Sequence, residues 1–486
     1  MSRLAGHPNP LVDFSAEQVH EASLELLLEV GFCVPDAGAL QQLSRAGFLV
    51  DFETCMVRVA PGMFDTARKT LPSEVILHGR GGDPPLDLSP PSRFMGAGTP
   101  VNVLDLATGV RRPSTRSDVR DLIRLQDALD NIEIVRPTVT ATDCGEGSDL
   151  AEIVELLLHT TKPIVHRTLS PDRVDAAFAM LACVAGGEQN FRDKPNFATL
   201  YCPISPGYFT PENVRCIMRW AAHGVPITLL SMAMGGASAP ATLLGELVVI
   251  NADVLAWVIA LQLLFPGLPL IYGSVAAVLD MRTGLLPLGS PERGLVNMGA
   301  AHMAHFYGMP AMCGGLSSDA KQLDAQAGYE KAITAIPLML EEAEIIYGAG
   351  AVDAGAAISF LQLVLDNELI GGLRRLAGGV PAHDLGEELD LIKARTPRGN
   401  FLNAVHTRRA HHEHWLPGIL SRESYETWSQ GNETIESRCR ERAHDILHSH
   451  ASPALSANTE AELEHILRQS WDPDFRLESR VEEGST

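Results

Sequence analysis

The sequence predicts an α/β fold built on a parallel sheet: a (β/α)8 TIM barrel with an N-terminal α+β appendage and a helical C-terminal extension. Three observations predict it. Short runs rich in Val, Ile and Leu recur through the middle of the chain, most of them enter near Pro, Gly or Asn, and a longer helix-like segment follows. The first seven runs start about 30–43 residues apart, close to the roughly 30 or more residues of one βαβ unit. Strands covered by helices on both faces read as continuous apolar runs, and most of these do.

In chain order, residues 1–130 are expected to form the appendage. Ser15–Val30 has helical periodicity with Ser15 as cap, Phe48–Val59 reads as a hairpin, and Gly79–Thr99 as a Gly/Pro-rich turn region. The barrel is expected over 131–384. Its strands are Ile132–Thr138, Pro163–Leu169, Asn196–Ile204, Pro226–Ala233, Pro269–Ala276, Met309–Leu316 and Glu344–Ala349, with a weaker eighth run near Ala357–Leu363. Helices are expected at Ser170–Val184, Thr210–His223, Ala241–Phe265, Ser290–Tyr307 and Asp324–Glu342, several opening on an N-cap residue followed by Pro at the first helical position. About eight residues separate the last two runs, too few for a crossover helix, so a doubly wound open sheet stays as an alternative, although no G-x-G-x-x-G follows any strand. Residues 385–486 are more charged and mostly helical, with a polar tail, Arg480–Thr486, expected to be disordered.

The chain has 486 residues, 45% hydrophobic and 20% charged, with 60 acidic against 38 basic side chains and a net charge of −22. An acidic excess of this size repels phosphate backbones, and no basic patch offsets it, which argues against a nucleic-acid partner. Eight cysteines lie far apart without a C-x-x-C pair, the pattern of reduced thiols in a cytoplasmic protein. Met1–Phe14 has no apolar core of a signal peptide. The uncharged stretch Val254–Leu279 is interrupted by Pro266, Gly267, Pro269 and Gly273, so it reads as a buried helix followed by a buried strand rather than a membrane span.

Barrel enzymes place their chemistry where strands end. Those positions hold His166, Arg167 and Thr168; Tyr201, Cys202, Ser205 and Tyr208; Tyr272, Ser274, Asp280 and Arg282; Ser317, Ser318, Asp319 and Lys321; Tyr347; and Phe360 and Gln362. No closely spaced His and carboxylate form an acid/base dyad or metal site. His406, His411, His412 and His414 are dense enough for a metal, yet Arg408 and Arg409 among them favour a solvated helix or a subunit contact. Cys202 reads as a buried structural thiol, and each aromatic, taken singly, as core.

Several motifs, in order, resemble the trimethylamine methyltransferase family. They are the segment from Val103 to Asp118, Asp280-Met-Arg-Thr-Gly284, the segment Ser318-Asp-Ala-Lys-Gln-Leu-Asp-Ala-Gln-Ala-Gly-Tyr-Glu330, and Phe401-Leu-x-x-x-His-Thr407 with Trp415 and Pro417. The resemblance runs from about residue 12 to residue 470. It implies a TIM barrel that takes a methyl group from a methylated amine and passes it to the cobalt of a separate corrinoid protein. No pyrrolysine is present, so the chain is similar to the branch that demethylates quaternary amines such as glycine betaine, proline betaine or carnitine. It implies no tightly bound cofactor or metal, a cytoplasmic homo-oligomer, and a place in one-carbon metabolism. No acid/base residue is expected, because a quaternary ammonium departs as a neutral amine. The expected cation site is Tyr201, Tyr208, Tyr272 and Phe360, with Arg167 or His166 on a substrate carboxylate and Gln362 as a further substrate-binding residue. Ser317, Asp319, Lys321, Asp324, Gln326 and Glu330 are expected to build a mouth loop facing the corrinoid. Two other readings stand beside this one: an inactive quaternary-amine-binding barrel, and a barrel enzyme of other chemistry such as a metal-dependent hydrolase.

Overall fold

The computed structural model of the chain describes residues 11–80, 82 and 84–477. The expected polar tail and most of the N-terminal stretch lie outside them. The centre is a seven-stranded parallel sheet of β1 (Arg93–Gly96), β2 (Ile164–His166), β3 (Phe197–Tyr201), β4 (Ile227–Ser231), β5 (Leu270–Ser274), β6 (Ala311–Gly314) and β7 (Ile345–Ala349). Their spatial order is β1-β7-β6-β5-β4-β3-β2, every pair parallel. The sheet curls so far that one short segment spans its two edges: Ile134 bridges to Met95 of β1, and Val135 to Ile164 of β2. Six of the seven strands lie inside predicted runs, and that bridging segment lies inside the seventh.

The expected eighth run departs. Ala357–Ser359 pairs with Asn102–Leu104 in a separate four-stranded sheet, and Phe360 opens the Phe360–Ala377 helix, capped by Ser359. The sheet position beside β7 belongs instead to β1, drawn from within the expected appendage. Four residues set among Pro and Gly give no apolar run to detect, whereas pairing with β7 identifies them at once. The Phe48–Val59 hairpin forms as Leu49–Asp51 against Met56–Arg58.

Helices begin where caps predict. Thr210, Ser290 and Asp324 each accept a hydrogen bond from the backbone N–H three residues on, and Pro171, Pro211 and Pro291 occupy first helical positions. Left-handed Gly186, Gly224 and Gly308 end three of these helices. The uncharged stretch resolves as the buried Leu243–Leu264 helix followed by β5. That helix is long and apolar enough to cross a membrane, but it is largely buried and packs on the Ala16–Glu29 helix and the sheet.

Alternation along each strand sorts side chains into two cores. Met95, Val165, Leu200, Ile271, Met312 and Ile345 point inside the curl and pack together. Their chain neighbours pack outward against helices, around the fully buried Trp220 and Trp257. One end of the inner core is plugged. Val75, Leu77 and Leu88, around the Ile76–Leu77 and Leu86–Asp87 hairpin, join it, and His78 and Arg80 donate backbone hydrogen bonds to Pro195 and Thr161, which precede β3 and β2. The plug closes the N-terminal ends of the strands and leaves the C-terminal ends for a site.

Candidate functional site

Two residues beyond the inner apolar layer, the same parity brings a second layer to the C-terminal ends. Arg136 follows Ile134, Arg167 follows Val165, Cys202 follows Leu200 and Tyr347 follows Ile345. The Arg136 guanidinium lies 5.5 Å from the centre of the Tyr347 ring, and Arg136 is buried. Burial opposes its charge, Tyr347 eases that, and the neighbouring Arg167 charge opposes it further. Among the described residues no hydrogen bond or ion pair engages the Arg136 or Arg167 side chain, and Arg136 Nε is buried without a partner. The Cys202 thiol is pushed up by burial, with Arg167 and Arg136 pulling partly back.

Arg293 reaches the same end from the Pro291–Tyr307 helix and donates from Nη1 to Val275 O at 2.9 Å. A Cβ at Gly314 would collide with its Nη2, so β6 carries Gly there. Glu246 is a buried carboxyl behind the loops after β4 and β5. It accepts from Gly235 N at 3.1 Å, and burial pushes it up to about 7.

The expected aromatic cage does not form. Backbone register puts Tyr201, Leu229 and Tyr272 in one row, and that row faces the helices. The Tyr201 hydroxyl donates to Thr168 O at 3.1 Å and accepts from Trp220 Nε1 at 3.2 Å, while Tyr272 donates to Asn251 Oδ1 at 3.0 Å. Burial pushes both phenols up. His166 shares this outward parity, its Nε2 2.9 Å from the Glu152 carboxylate on the Ser148–His159 helix. Tyr208 sits in the loop after β3, paired with Ile204 and Cys33. Phe360 is packed into the outer core. Gln362 is buried and donates to Asp366 at 2.8 Å. For Tyr201, Tyr272 and His166 the expectation missed by one residue of strand parity: the inward aromatic among these strands is Tyr347, and Arg167 is the expected substrate residue that faces in.

The Ser318–Glu330 segment is held by hydrogen bonds within itself and to the loop after β5. Glu330 accepts from Ser318 Oγ at 2.8 Å, from Asp319 N at 2.7 Å and, on its other oxygen, from Gln326 Nε2 at 2.8 Å. Asp319 accepts from Leu288 N and Gly289 N, and burial raises its carboxyl. Asp324 caps the following helix. Ser317 Oγ donates to Gly315 O, and Lys321 donates to Asp319 O and stands 3.4 Å from Asp353. Beneath the loop the fully buried Lys331 donates to Leu316 O and Asp366 at 2.8 Å each, and Asp366 also accepts from Gly350 N and Gln362. These contacts shape the loop and tie it to the loop after β5 and to Asp353 and Asp366.

Exposed apolar side chains stand around this end, with the charged Arg282 and Lys321 among them. Val101, Leu169, Ile204, Met232, Met281 and Tyr329 follow six different strands, and all are exposed. Among the described residues no cluster of His, Cys, Asp and Glu has the geometry to hold a metal.

Sequence reasoning missed Arg136, Arg293 and Glu246. The signal for Arg136 was available: a charged residue two positions after an inward strand residue, as in Val165 to Arg167.

The profile of the trimethylamine methyltransferase family (MTTB) matches residues 3–470. Trimethylamine methyltransferase MttB of Desulfitobacterium hafniense (strain DSM 10664 / DCB-2) is 31% identical over 470 residues, covering 95% of this chain and 94% of the relative. Glycine betaine methyltransferase of Desulfitobacterium hafniense (strain Y51) is 28% identical over 473 residues, covering 96% and 98%. Among solved structures, the monomethylamine methyltransferase MtmB of Methanosarcina barkeri is similar in fold, with a TM-score of 0.52 at 12% identity over 90% of this chain and 89% of that one. A match that takes in nearly the whole chain, and every motif quoted from its sequence, shows that the chain belongs to the trimethylamine methyltransferase family.

Proposed function

We propose that the chain is a methyltransferase that moves a methyl group from a quaternary amine carrying a carboxylate, such as glycine betaine, to the corrinoid of a separate protein. The family match over residues 3–470 carries this reading. We read the curled sheet as a (β/α)8 barrel whose eighth strand is the bridging segment around Ile134 and Val135, and the reaction as taking place at its open C-terminal end.

The residues there suit that chemistry. Arg136 and Arg167 have no acceptor among the described residues, and a carboxylate fits a guanidinium fork with two parallel hydrogen bonds. Tyr347 offers an aromatic face, worth about 0.5–2 kcal/mol toward a quaternary ammonium. Gripping the carboxylate at the arginines fixes which methyl group points outward, and positioning of this kind supplies roughly 7–11 kcal/mol. The C–N bond breaks with its electron pair staying on nitrogen, so the departing tertiary amine needs no proton. The outward orientation of His166, beside Glu152, costs such a reaction nothing. A docked corrinoid would supply a nucleophilic cobalt as methyl acceptor, and the exposed apolar side chains that follow six strands suit a protein partner closing over the mouth. The cysteines are all unpaired, as in a cytoplasmic enzyme.

The test is to mix the protein with reduced cob(I)alamin and a panel of methylated amines and follow the cobalt spectrum. Conversion to methylcobalamin with glycine betaine or another carboxylated quaternary amine is expected. Silence across the panel sinks the reading, and stoichiometric zinc or iron in the purified protein would turn it toward a hydrolase.

A further inference from the structure

Arg136, Arg167 and Arg293 bring three guanidinium groups to the C-terminal end of the sheet, and they stand on opposite walls. With the bridging segment counted as one position, Arg136 after it and Arg167 after β2 are neighbours, while β6 lies four positions from β2 in either direction around the curl. Arg293 reaches over β6. Its Nη2 fills the space that a Cβ at Gly314 would need, and Gly314 lies two residues after the inner-core Met312 and is paired in register with Tyr347. Tyr347 therefore stands between Arg136 and Arg293, and it eases the buried charge of both.

Arg293 is only partly committed to the fold. It is 2% exposed, and Nη1 donates to Val275 O at 2.9 Å. Among the described residues, Nε is buried without a partner and Nη2 has no acceptor. Those two nitrogens make one edge of the guanidinium, a pair of parallel N–H groups that a carboxylate meets side-on. The acids around the site are engaged elsewhere. Asp319, whose charge reaches Arg293, accepts from Leu288 N and Gly289 N. Glu152, whose charge reaches Arg136, lies against His166 and accepts from Ala141 N at 2.9 Å. Cys202, Val275, Gly314 and Tyr347, which share this level and face inward, bear no carboxylate. Arg167, Cys202 and Tyr347 are half-buried, so the space between the walls is reached from solvent.

A substrate with one carboxylate leaves this arrangement unbalanced. Its carboxylate fills one fork, its ammonium adds a cation, and the guanidinium on the other wall stays buried and unpaired, which is costly. A second carboxylate pairs that guanidinium, and two anchors on opposite walls hold the ammonium between them, over Tyr347. We propose that the substrate is a quaternary amine bearing two carboxylates, one taken by Arg136 and Arg167 and the other by Arg293. This narrows the methyl-transfer reading, on which it rests.

The test is calorimetry of the full chain with glycine betaine, N,N,N-trimethylaspartate and N,N,N-trimethylglutamate, beside methyl transfer from each to cob(I)alamin. One of the dicarboxylates is expected to bind about tenfold or more tighter than glycine betaine and to be the better methyl donor. In Arg293→Gln that preference should fall to within about twofold, and in Arg293→Lys, which keeps the charge but loses the fork, it should weaken. Methyl transfer from glycine betaine with no preference for either dicarboxylate overturns the proposal and leaves the methyl-transfer reading standing. Tighter dicarboxylate binding without methylcobalamin from any donor overturns that reading and keeps the two-carboxylate site. Absence of binding by all three compounds overturns both. Either variant, folded by circular dichroism and retaining the full native preference, removes Arg293 from the site and overturns the proposal.

Discussion

The two ends of the parallel strands treat charge in opposite ways. At the N-terminal ends, Glu344 accepts from Ala311 N at 2.7 Å and stands 3.2 Å from His305. Lys162 donates to the carbonyls of Gln126, Leu129 and Ile132, Arg374 pairs with Glu133, and a hairpin seals the core. At the C-terminal ends, Arg136 and Arg167 have no described acceptor, Glu246 keeps one oxygen unpartnered, and apolar side chains stand exposed around the mouth. A buried charge is costly unless paired. At one end these charges are therefore paired into the fold, and at the other Arg136 and Arg167 stand without a described partner.

The contrast can be broken from either side. Glu344→Ala strands a backbone N–H and His305, and loss of one member of a buried pair costs about 3–5 kcal/mol; urea unfolding should show that loss. Arg136→Ala should leave unfolding unchanged or slightly more favourable to the fold, yet lower kcat/KM for a carboxylated amine by about 10²–10³-fold, the equivalent of roughly 3–4 kcal/mol. Equal stability losses in the two variants, or full activity in Arg136→Ala, would erase the distinction. Tyr272→Phe sharpens it within one strand. It removes the hydrogen bond to Asn251, worth about 1 kcal/mol of stability, and should leave KM unaltered because the ring faces the helices.

The smallest effect is in pH. His305 is raised to about 9, with burial opposing the charge and Glu341 and Glu344 outweighing it. A folded-state value above the unfolded one means that its contribution is complete below about pH 6.5 and is lost as pH rises through about 9. Thermal melting between pH 7 and pH 10 should show the decline, flattened in His305→Gln.

How far the sequence could be read follows from these residues. The predicted runs contained six of the seven strands and the segment bridging the sheet edges, and the caps at Thr210, Ser290 and Asp324 were readable because capping is local chemistry. β1 was not, since four residues among Pro and Gly carry no periodic signal and are a strand only by virtue of β7. At the site, residues near the strand ends were found, but facing was guessed. Tyr201, Tyr272 and His166 differ from Leu200, Ile271 and Arg167 by one position, and in a strand buried on both faces apolar residues occupy both parities, so hydropathy gives no sign of which points in.

By itself the sequence determined the family, the parallel α/β class and the reach of most elements, because these rest on local propensity and on motifs kept in order. Only the tertiary structure decided which strand lies beside β7, that the Ser318–Glu330 motif is tied to itself and to Leu288 and Gly289 of another loop, and that Arg136 and Tyr347 rather than the expected tyrosines face the mouth. The physical reason is common to all three: pairing partners and strand facing depend on residues distant in the chain, and no local pattern records them.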